Sequence, residues 1–537
     1  MDFQALQTLG GHLWLYLAAP LAALAFLIAS VRLRAPQWRL LRHGGKAIRT
    51  PAKKGLAPGL ATVLTTVGTL GAAGAVGAAT AVSLGGPGVL PWLWLFGIVM
   101  APLHYAEVWL ARTDAPGQSD ADATGSLTRR LRRMGDRWRI PAFVSMVLVL
   151  ACGFAFGGGV QGQALAETAD VLLPGSTLAL VCGAAGVGAA FVIFEERTRN
   201  IAAWLGLAGI VVLVVAAVWA MASDFGEAFG TLGAAFSDAF DGAPRRDEFT
   251  GAFAGEIAFA AVLWVLPPIG ATSGVVGAMH SLSGGKTRPQ ASAALFVPFT
   301  YAVVGTLLVM AFCGTGAYGE RYADRRGLMD TKIYRLSAAS ASQRTEGERL
   351  YDGMVRIVEG EPRNPALSVG TARGMVSRAK FELDGEPADL ALRVEDGVPF
   401  EVLQPGRMGA LDRQDFAVAR RIEVVGEMLP TGGGLVMRAM GRGESDLAAR
   451  FGLAGLLALA AVGFGVWGWA LGRVVPHTAP RSVRIAVGLL PALGAVGAVL
   501  LGGGWIALIG GAIAALTLAF VSIVLIATSR QVADLIS

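Results

Sequence analysis

Charge and cysteine are both scarce in this sequence. Of its 537 residues only 16% are charged, while 54% are hydrophobic. That balance excludes an ordinary soluble chain and indicates a polytopic membrane protein. The three cysteines, Cys152, Cys182 and Cys313, all fall in apolar runs without metal-ligand spacing and read as core residues. No metal site is expected. No Walker loop is present, so ATP-driven pumping is not expected either. Met1-Asp2-Phe3-Gln4 supplies no basic region ahead of the first apolar run. Residues 11–32 therefore read as a retained span, not a cleaved signal peptide. The formal charge of +6 comes mainly from two basic loops. Positive charge beside membrane spans is what topology requires, so it implies no nucleic-acid partner.

What is present is a series of long apolar runs. A span needs about 20 apolar residues, and about eleven segments pass that length test. They lie near 11–32, 60–84, 88–111, 140–165, 175–194, 201–221, 253–282, 291–315, 448–473, 483–502 and 504–527. Lysine and arginine collect in alternate loops: Arg34 to Lys54, Arg129 to Arg139, Arg197 and Arg199, Lys286 and Arg288, and Arg473 to Arg484. The opposite loops carry Glu167, Asp170, Asp224, Glu227, Asp238 and Asp241. By the positive-inside rule the N-terminus is outside and the C-terminus is cytoplasmic, in a cell inner (plasma) membrane.

The long polar segment 316–446 then falls outside. Short runs at Met375–Leu383, Ala388–Val394, Phe400–Leu403, Arg421–Met428 and Leu435–Met440 read as strands. They are separated by the turn signals Asp384-Gly385, Asp396-Gly397 and Gly432-Gly433-Gly434. The segment reads as a β-rich domain without a catalytic cluster, and no enzyme activity is expected. Residues 222–250, rich in Phe and Gly, read as an external loop with a short amphipathic helix at the interface.

Gly68 to Gly88 is apolar enough to cross a bilayer, yet glycine recurs through it and it ends Gly85-Gly86-Pro87-Gly88. One reading is a small-residue helix packed tightly on its neighbours. The other is a broken transporter helix whose unwound backbone binds substrate. A second interruption is predicted where Pro267-Pro268 is followed by Gly270-Ala271-Thr272-Ser273-Gly274. With the first span set aside, each interruption opens one five-helix half, and the loop charges start the halves on opposite sides. Paired breaks in inverted halves favour the transporter reading. The boundaries are then 1–58 for an extra N-terminal helix and basic loop, and 59–221 for the first repeat. The external loop is 222–252, the second repeat opens over 253–315, the insertion is 316–446, and the last three helices are 447–537.

These segments resemble the alanine/glycine:cation symporter family, a family of sodium:alanine symporter-like amino-acid carriers. Gly71-Ala72-Ala73-Gly74 through Gly85-Gly86-Pro87-Gly88 is similar to its hallmark G-T-G-N-I-x-G-V-A-T-A-I-x-x-G-G-P-G. His104-Tyr105-Ala106-Glu107 resembles K-F-A-E, and Gln161 falls on the family's glutamine. Gly270 to His280 is similar in position to S-N-E-A-G-M-G-S-A-P-H, and Val466-Trp467-Gly468-Trp469 resembles I-L-G-W. The resemblance covers both membrane halves but not 316–446. It implies a divergent member with an all-α, LeuT-like 5+5 inverted-repeat fold plus one extra N-terminal helix and the inserted β-rich domain. Substrate would lie between the broken helices.

The resemblance implies a secondary active transporter of a small neutral amino acid, working by cation symport and alternating access. The expected substrate-binding residues are Gly71, Ala72, Ala73, Gly74, Gln161, Ala271, Thr272, Ser273, Gly274 and Trp469. Sodium (Na+) is the implied coupling ion, but the hydroxyl-bearing F-S-T run of the family's eighth core helix is Gly463-Phe464-Gly465 here. Coupling to a proton, or none, stays open. Ionisable groups in spans are costly and usually functional. Glu107 reads equally as a partner of Arg112 or a functional group, and Glu256 as a solvated helix start. His104 and His280 read as packing residues, with a proton relay as the sharper alternative. Trp92, Trp94 and Trp109 read as an interface belt. The alternative function is a degenerate transporter-like sensor or assembly subunit that uses 316–446 to meet an external partner.

Overall fold

The computed structural model describes residues 9–39, 45–51, 56–112, 126–222, 225–241, 254–281, 287–319, 322–328, 331–335, 349–364, 367–371, 374–395, 397–403, 421–428, 430, 432–441, 447–476, 478–501 and 504–536. Arg42, Lys53, Lys54 and Lys286 of the basic loops lie outside the described residues, as do Asp224, Asp396 and the side chain of Glu256. The chain divides into a helical unit of 1–243, 253–315 and 432–537 and a second unit of 244–252 and 316–431.

Eight helical stretches among the described residues are long and apolar enough to cross a membrane. The sequence suggests eleven spans. One stretch, Pro58–Arg112, is 55 residues long and holds two of them, while Thr177–Ile193 and Ile257–Ala271 are shorter apolar helices at two other expected spans. The chain is thus mostly helical and is a multi-pass membrane protein.

The helices that matter for the site are α1 (Pro58–Gly85), α2 (Leu90–Arg112), α3 (Leu127–Arg133) and α4 (Arg139–Phe154). After a π-helical turn, Ala155–Val160, come α5 (Gln161–Leu172), α6 (Thr177–Ile193), α7 (Glu195–Met221) and α8 (Phe225–Asp241). Then follow α9 (Ala254–Trp264), α10 (Leu266–Ala271), α11 (Val276–His280), α12 (Thr287–Ala294) and α13 (Phe296–Gly314). The last part holds α14 (Gly432–Met440), α15 (Leu447–Val474), α16 (Arg481–Gly488), α17 (Leu490–Leu500) and α18 (Gly504–Ile536).

Helix α1 starts with Pro58 in its first turn, where a missing N–H costs nothing. Its small side chains leave room on every side, and nearly all of it is buried against α13, α15, α9 and α7. Helix α8 is amphipathic, as the sequence suggests. Ala228, Ala235 and Ala239 are buried, whereas Phe225, Phe229, Phe236 and Phe240 are exposed. Residues 435–440, expected as a strand, are instead helical in α14. Leu435, Val436, Met437, Ala439 and Met440 are all buried, which lacks the in–out alternation of a strand.

The second unit holds three antiparallel four-stranded sheets among the described residues. The expected strand runs appear as Ser377–Leu383, Leu390–Glu395, Val398–Leu403 and Ile422–Met428. Asp384 and Gly385 both have positive φ, 54° and 87°, the backbone that turns a two-residue hairpin. Ile333, Val355, Phe381, Leu392 and Val424 form part of its buried core.

Candidate functional site

Helix α1 is broken at Gly71, where φ is 43° and ψ is −156°. Such a break frees N–H groups after it and carbonyls before it. Gln161, at the start of α5, supplies a partner: its Oε1 accepts the Ala73 N–H at 2.9 Å. A Cβ at Gly71 would sit 2.1 Å from that Oε1, so only glycine allows both the conformation and the approach. On the other side of the break the Gly68 carbonyl accepts the Trp467 indole N–H at 3.0 Å, from α15.

The second interruption has the same logic. Pro267 and Pro268 lack N–H groups, so the carbonyls of Leu263 and Trp264 lose their helical donors and α9 stops at Trp264. Gly77 of α1 accepts the close approach of this opened turn, because a Cβ there would lie 2.4 Å from the Trp264 carbonyl. The Tyr301 hydroxyl donates to the Val265 carbonyl at 2.9 Å. Four residues of turn, 272–275, then separate α10 from α11, with Gly274 at φ +92°. The buried carboxylate of Glu107, on α2, accepts the Gly274 N–H at 2.9 Å and the Gly277 N–H at 3.1 Å. Each broken helix therefore has its second half capped by a buried side chain from another helix. One cap is a neutral amide and the other is a carboxylate.

The two breaks meet. The Thr69 hydroxyl lies 3.4 Å from the Thr272 hydroxyl, while each also donates to a carbonyl of its own helix. Ala271 accepts a weak contact from the Cys152 thiol at 3.6 Å. The Ser273 hydroxyl is buried with no hydrogen-bond partner among the described residues. Of the sequence-predicted residues, the structure thus brings Gly71 and Ala73 to Gln161, Gly274 to Glu107 and Thr272 to Thr69. Trp469 is not part of that cluster. Its indole donates to the Phe191 carbonyl of α6 at 2.9 Å, and Trp467 is the tryptophan that reaches the break.

At the ends of these helices lies a charged girdle. Arg473 donates to the Ser281 hydroxyl at 3.1 Å and to Glu195 at 2.8 Å, and Glu195 also pairs with Arg199 at 2.5 Å. From α3 Arg129 donates to the Val475 carbonyl. Burial, helped by Arg473 and Arg484, pulls its guanidinium down to about 10, so it stays charged at neutral pH.

Residues 2–266 match the sodium:alanine symporter family. This bears out the resemblance read from the hallmark, and it covers α1, Glu107 and Gln161. It ends just before Pro267, so the second interruption lies beyond the matched residues. The symporter family supports sodium-linked symport of an amino acid across a membrane, and it is a transporter family, not an enzyme family. No curated protein matches the chain. The hydroxyl-bearing run that the symporter resemblance implies on α15 is Gly463-Phe464-Gly465 here, and the Gly68 carbonyl of the first break is engaged by Trp467. Thr69 and Thr272 are the hydroxyls that the two breaks bring together.

Proposed function

We propose that this chain is a secondary active transporter of a small neutral amino acid, of the alanine or glycine type, coupled to a cation. The paired breaks support a LeuT-like inverted repeat that works by alternating access in a cell inner membrane. The N-terminus and the β-rich unit would lie outside and the C-terminus in the cytoplasm. The observation that carries this reading is the meeting of two interrupted helices at Thr69 and Thr272, with Gln161 and Glu107 holding their freed amides.

The substrate carboxylate would take the amides of Gly71 to Gly74, where the half-helix dipole favours an anion. The Gln161 amide now at Ala73 would yield or share that place. The amino group would meet carbonyls of the Ala271–Gly274 turn, with the free Ser273 hydroxyl beside it. Hydroxyl and carbonyl oxygens around Thr69 and Thr272 suit a hard cation. Trp467 and Trp469 would brace α15 against α1 and α6.

Gly71→Leu is the test. It should abolish uptake of labelled alanine and glycine while the variant, which keeps the rest of the helix, still purifies as folded protein. Unaltered transport in that variant would overturn the site assignment.

A further inference from the structure

We propose that Tyr301 of α13 sets the upper size of the substrate side chain, as the apolar wall of the gap between the two broken helices. The inference rests on the carrier reading above and adds a specificity-determining residue to it.

The gap can be bounded by residues that meet across it. At one level the Thr69 hydroxyl meets the Thr272 hydroxyl. Further along α1, Gly77 packs closely on the Trp264 carbonyl. Between these two meetings lie Gly71 to Gly74 on the first broken helix and Val265 to Ala271 on the second. Tyr301 is buried and reaches both sides of this interval. A Cβ at Gly74 would lie 3.2 Å from ring carbon Cε2 of Tyr301 and 3.0 Å from Cδ1 of Leu70. At its other end the Tyr301 hydroxyl donates to the Val265 carbonyl at 2.9 Å.

The chemistry of the walls sorts the parts of a neutral amino acid. Its two charged ends need polar partners, and its side chain does not. The polar groups of the gap are the amides freed after Gly71, the Gln161 amide and the hydroxyls of Thr69, Thr272 and Ser273. The large apolar surfaces beside Gly74 are the Tyr301 ring and Leu70. With the carboxylate on the amides that run to Gly74, a short apolar side chain rests against that ring.

The wall is also held in place. A buried tyrosine hydroxyl needs a partner, and the bond to Val265 fixes the tip of the ring. The helix behind it is seated on α2 by small residues. A Cβ at Gly97 would lie 3.2 Å from the Ala302 Cβ, and one at Gly305 would lie 2.8 Å from Leu93 Cδ2. The Trp94 indole donates to the Thr306 hydroxyl at 2.9 Å across the same contact. A ring pinned at its tip and backed by a fixed helix excludes a longer side chain instead of yielding to it. One misfitting methylene in such a place is worth about 10–200-fold in discrimination.

The test is counterflow in proteoliposomes of the full-length protein, with equal sodium on both sides. Labelled alanine and labelled leucine are each followed against a load of unlabelled alanine. Wild type should exchange alanine at least tenfold faster than leucine. In Tyr301→Ala the leucine-to-alanine ratio of rates should rise at least tenfold, and in Tyr301→Leu it should rise in the same direction. Tyr301→Phe keeps the ring and drops the bond to Val265, so its ratio should fall between wild type and Tyr301→Ala. A purely structural role would slow both amino acids alike and leave the ratio where it was. An unchanged ratio in folded Tyr301→Ala and Tyr301→Leu overturns the wall and leaves the carrier reading standing. Wild type that exchanges leucine as fast as alanine, or faster, overturns the wall without any variant. Folded wild type that exchanges neither amino acid overturns the carrier reading and the wall with it. If Tyr301→Ala fails to fold, Tyr301→Leu and the wild-type ratio decide.

Discussion

The side-chain oxygen of Gln161 accepts the Ala73 N–H at 2.9 Å, across 88 positions of sequence. It thereby stands where the first broken helix offers its freed amides, which is the place proposed for the substrate carboxylate. Gln161→Ala should leave the Ala73 N–H unmet and cost about 1–3 kcal/mol of stability. Gln161→Glu keeps an acceptor there but sets a negative charge against the carboxylate. It should retain most of the thermal stability and lose uptake. Thermal unfolding of both variants in detergent, beside uptake, checks the split.

Glu107 offers two oxygens to two amides, Gly274 and Gly277. Glu107→Gln has a single acceptor oxygen, so one of those N–H groups loses its partner, at about 1–3 kcal/mol. Glu107→Ala loses both and should unfold at a lower temperature than Glu107→Gln. Equal midpoints for wild type and both variants would contradict the capping role.

Gly77 and Gly71 differ in what they forbid. A Cβ at Gly77 would press on the Trp264 carbonyl, which is backbone and cannot rotate away. Gly77→Ala should therefore push α9 from α1 and cost about 1–3 kcal/mol. Gly71→Ala adds a left-handed backbone strain of about 1–3 kcal/mol to its clash with Gln161. Both substitutions should lower the unfolding midpoint, and Gly71→Ala should also abolish uptake.

The two tryptophans of α15 separate by function. Trp467→Phe removes the donor to Gly68, next to the break, and should lower the uptake rate at least several-fold as well as the stability. Trp469→Phe removes the donor to Phe191 and should lower stability by about 1–3 kcal/mol with a smaller effect on rate. Initial-rate measurements at saturating substrate distinguish the two.

Much of this arrangement was legible beforehand, and the reasons it stopped are physical. The break at Gly71 and the turn after Pro267-Pro268 follow from local chemistry, because glycine and proline act on their own backbone. Strands flanked by Asp384-Gly385 and Gly397 follow for the same reason. From spacing alone Glu107 reads equally as a partner of Arg112, about one turn on, or as a functional group. Its partners lie 167 and 170 positions away, which spacing does not reveal. Gln161 was picked out by family resemblance, not by its own surroundings. Trp467 and Trp469 are two residues apart on one helix and so point to different faces; the sequence reading selects Trp469, whereas Trp467 is the one that reaches the break. Residues 435–440 form a short apolar run that fits strand or helix until its neighbours are known.

The most direct measurement is uptake of labelled alanine and glycine into proteoliposomes with an imposed sodium gradient, a proton gradient or neither. The account predicts accumulation above the outside concentration under a cation gradient, abolished by collapse of that gradient. Folded, reconstituted protein that accumulates neither amino acid under any gradient would contradict it.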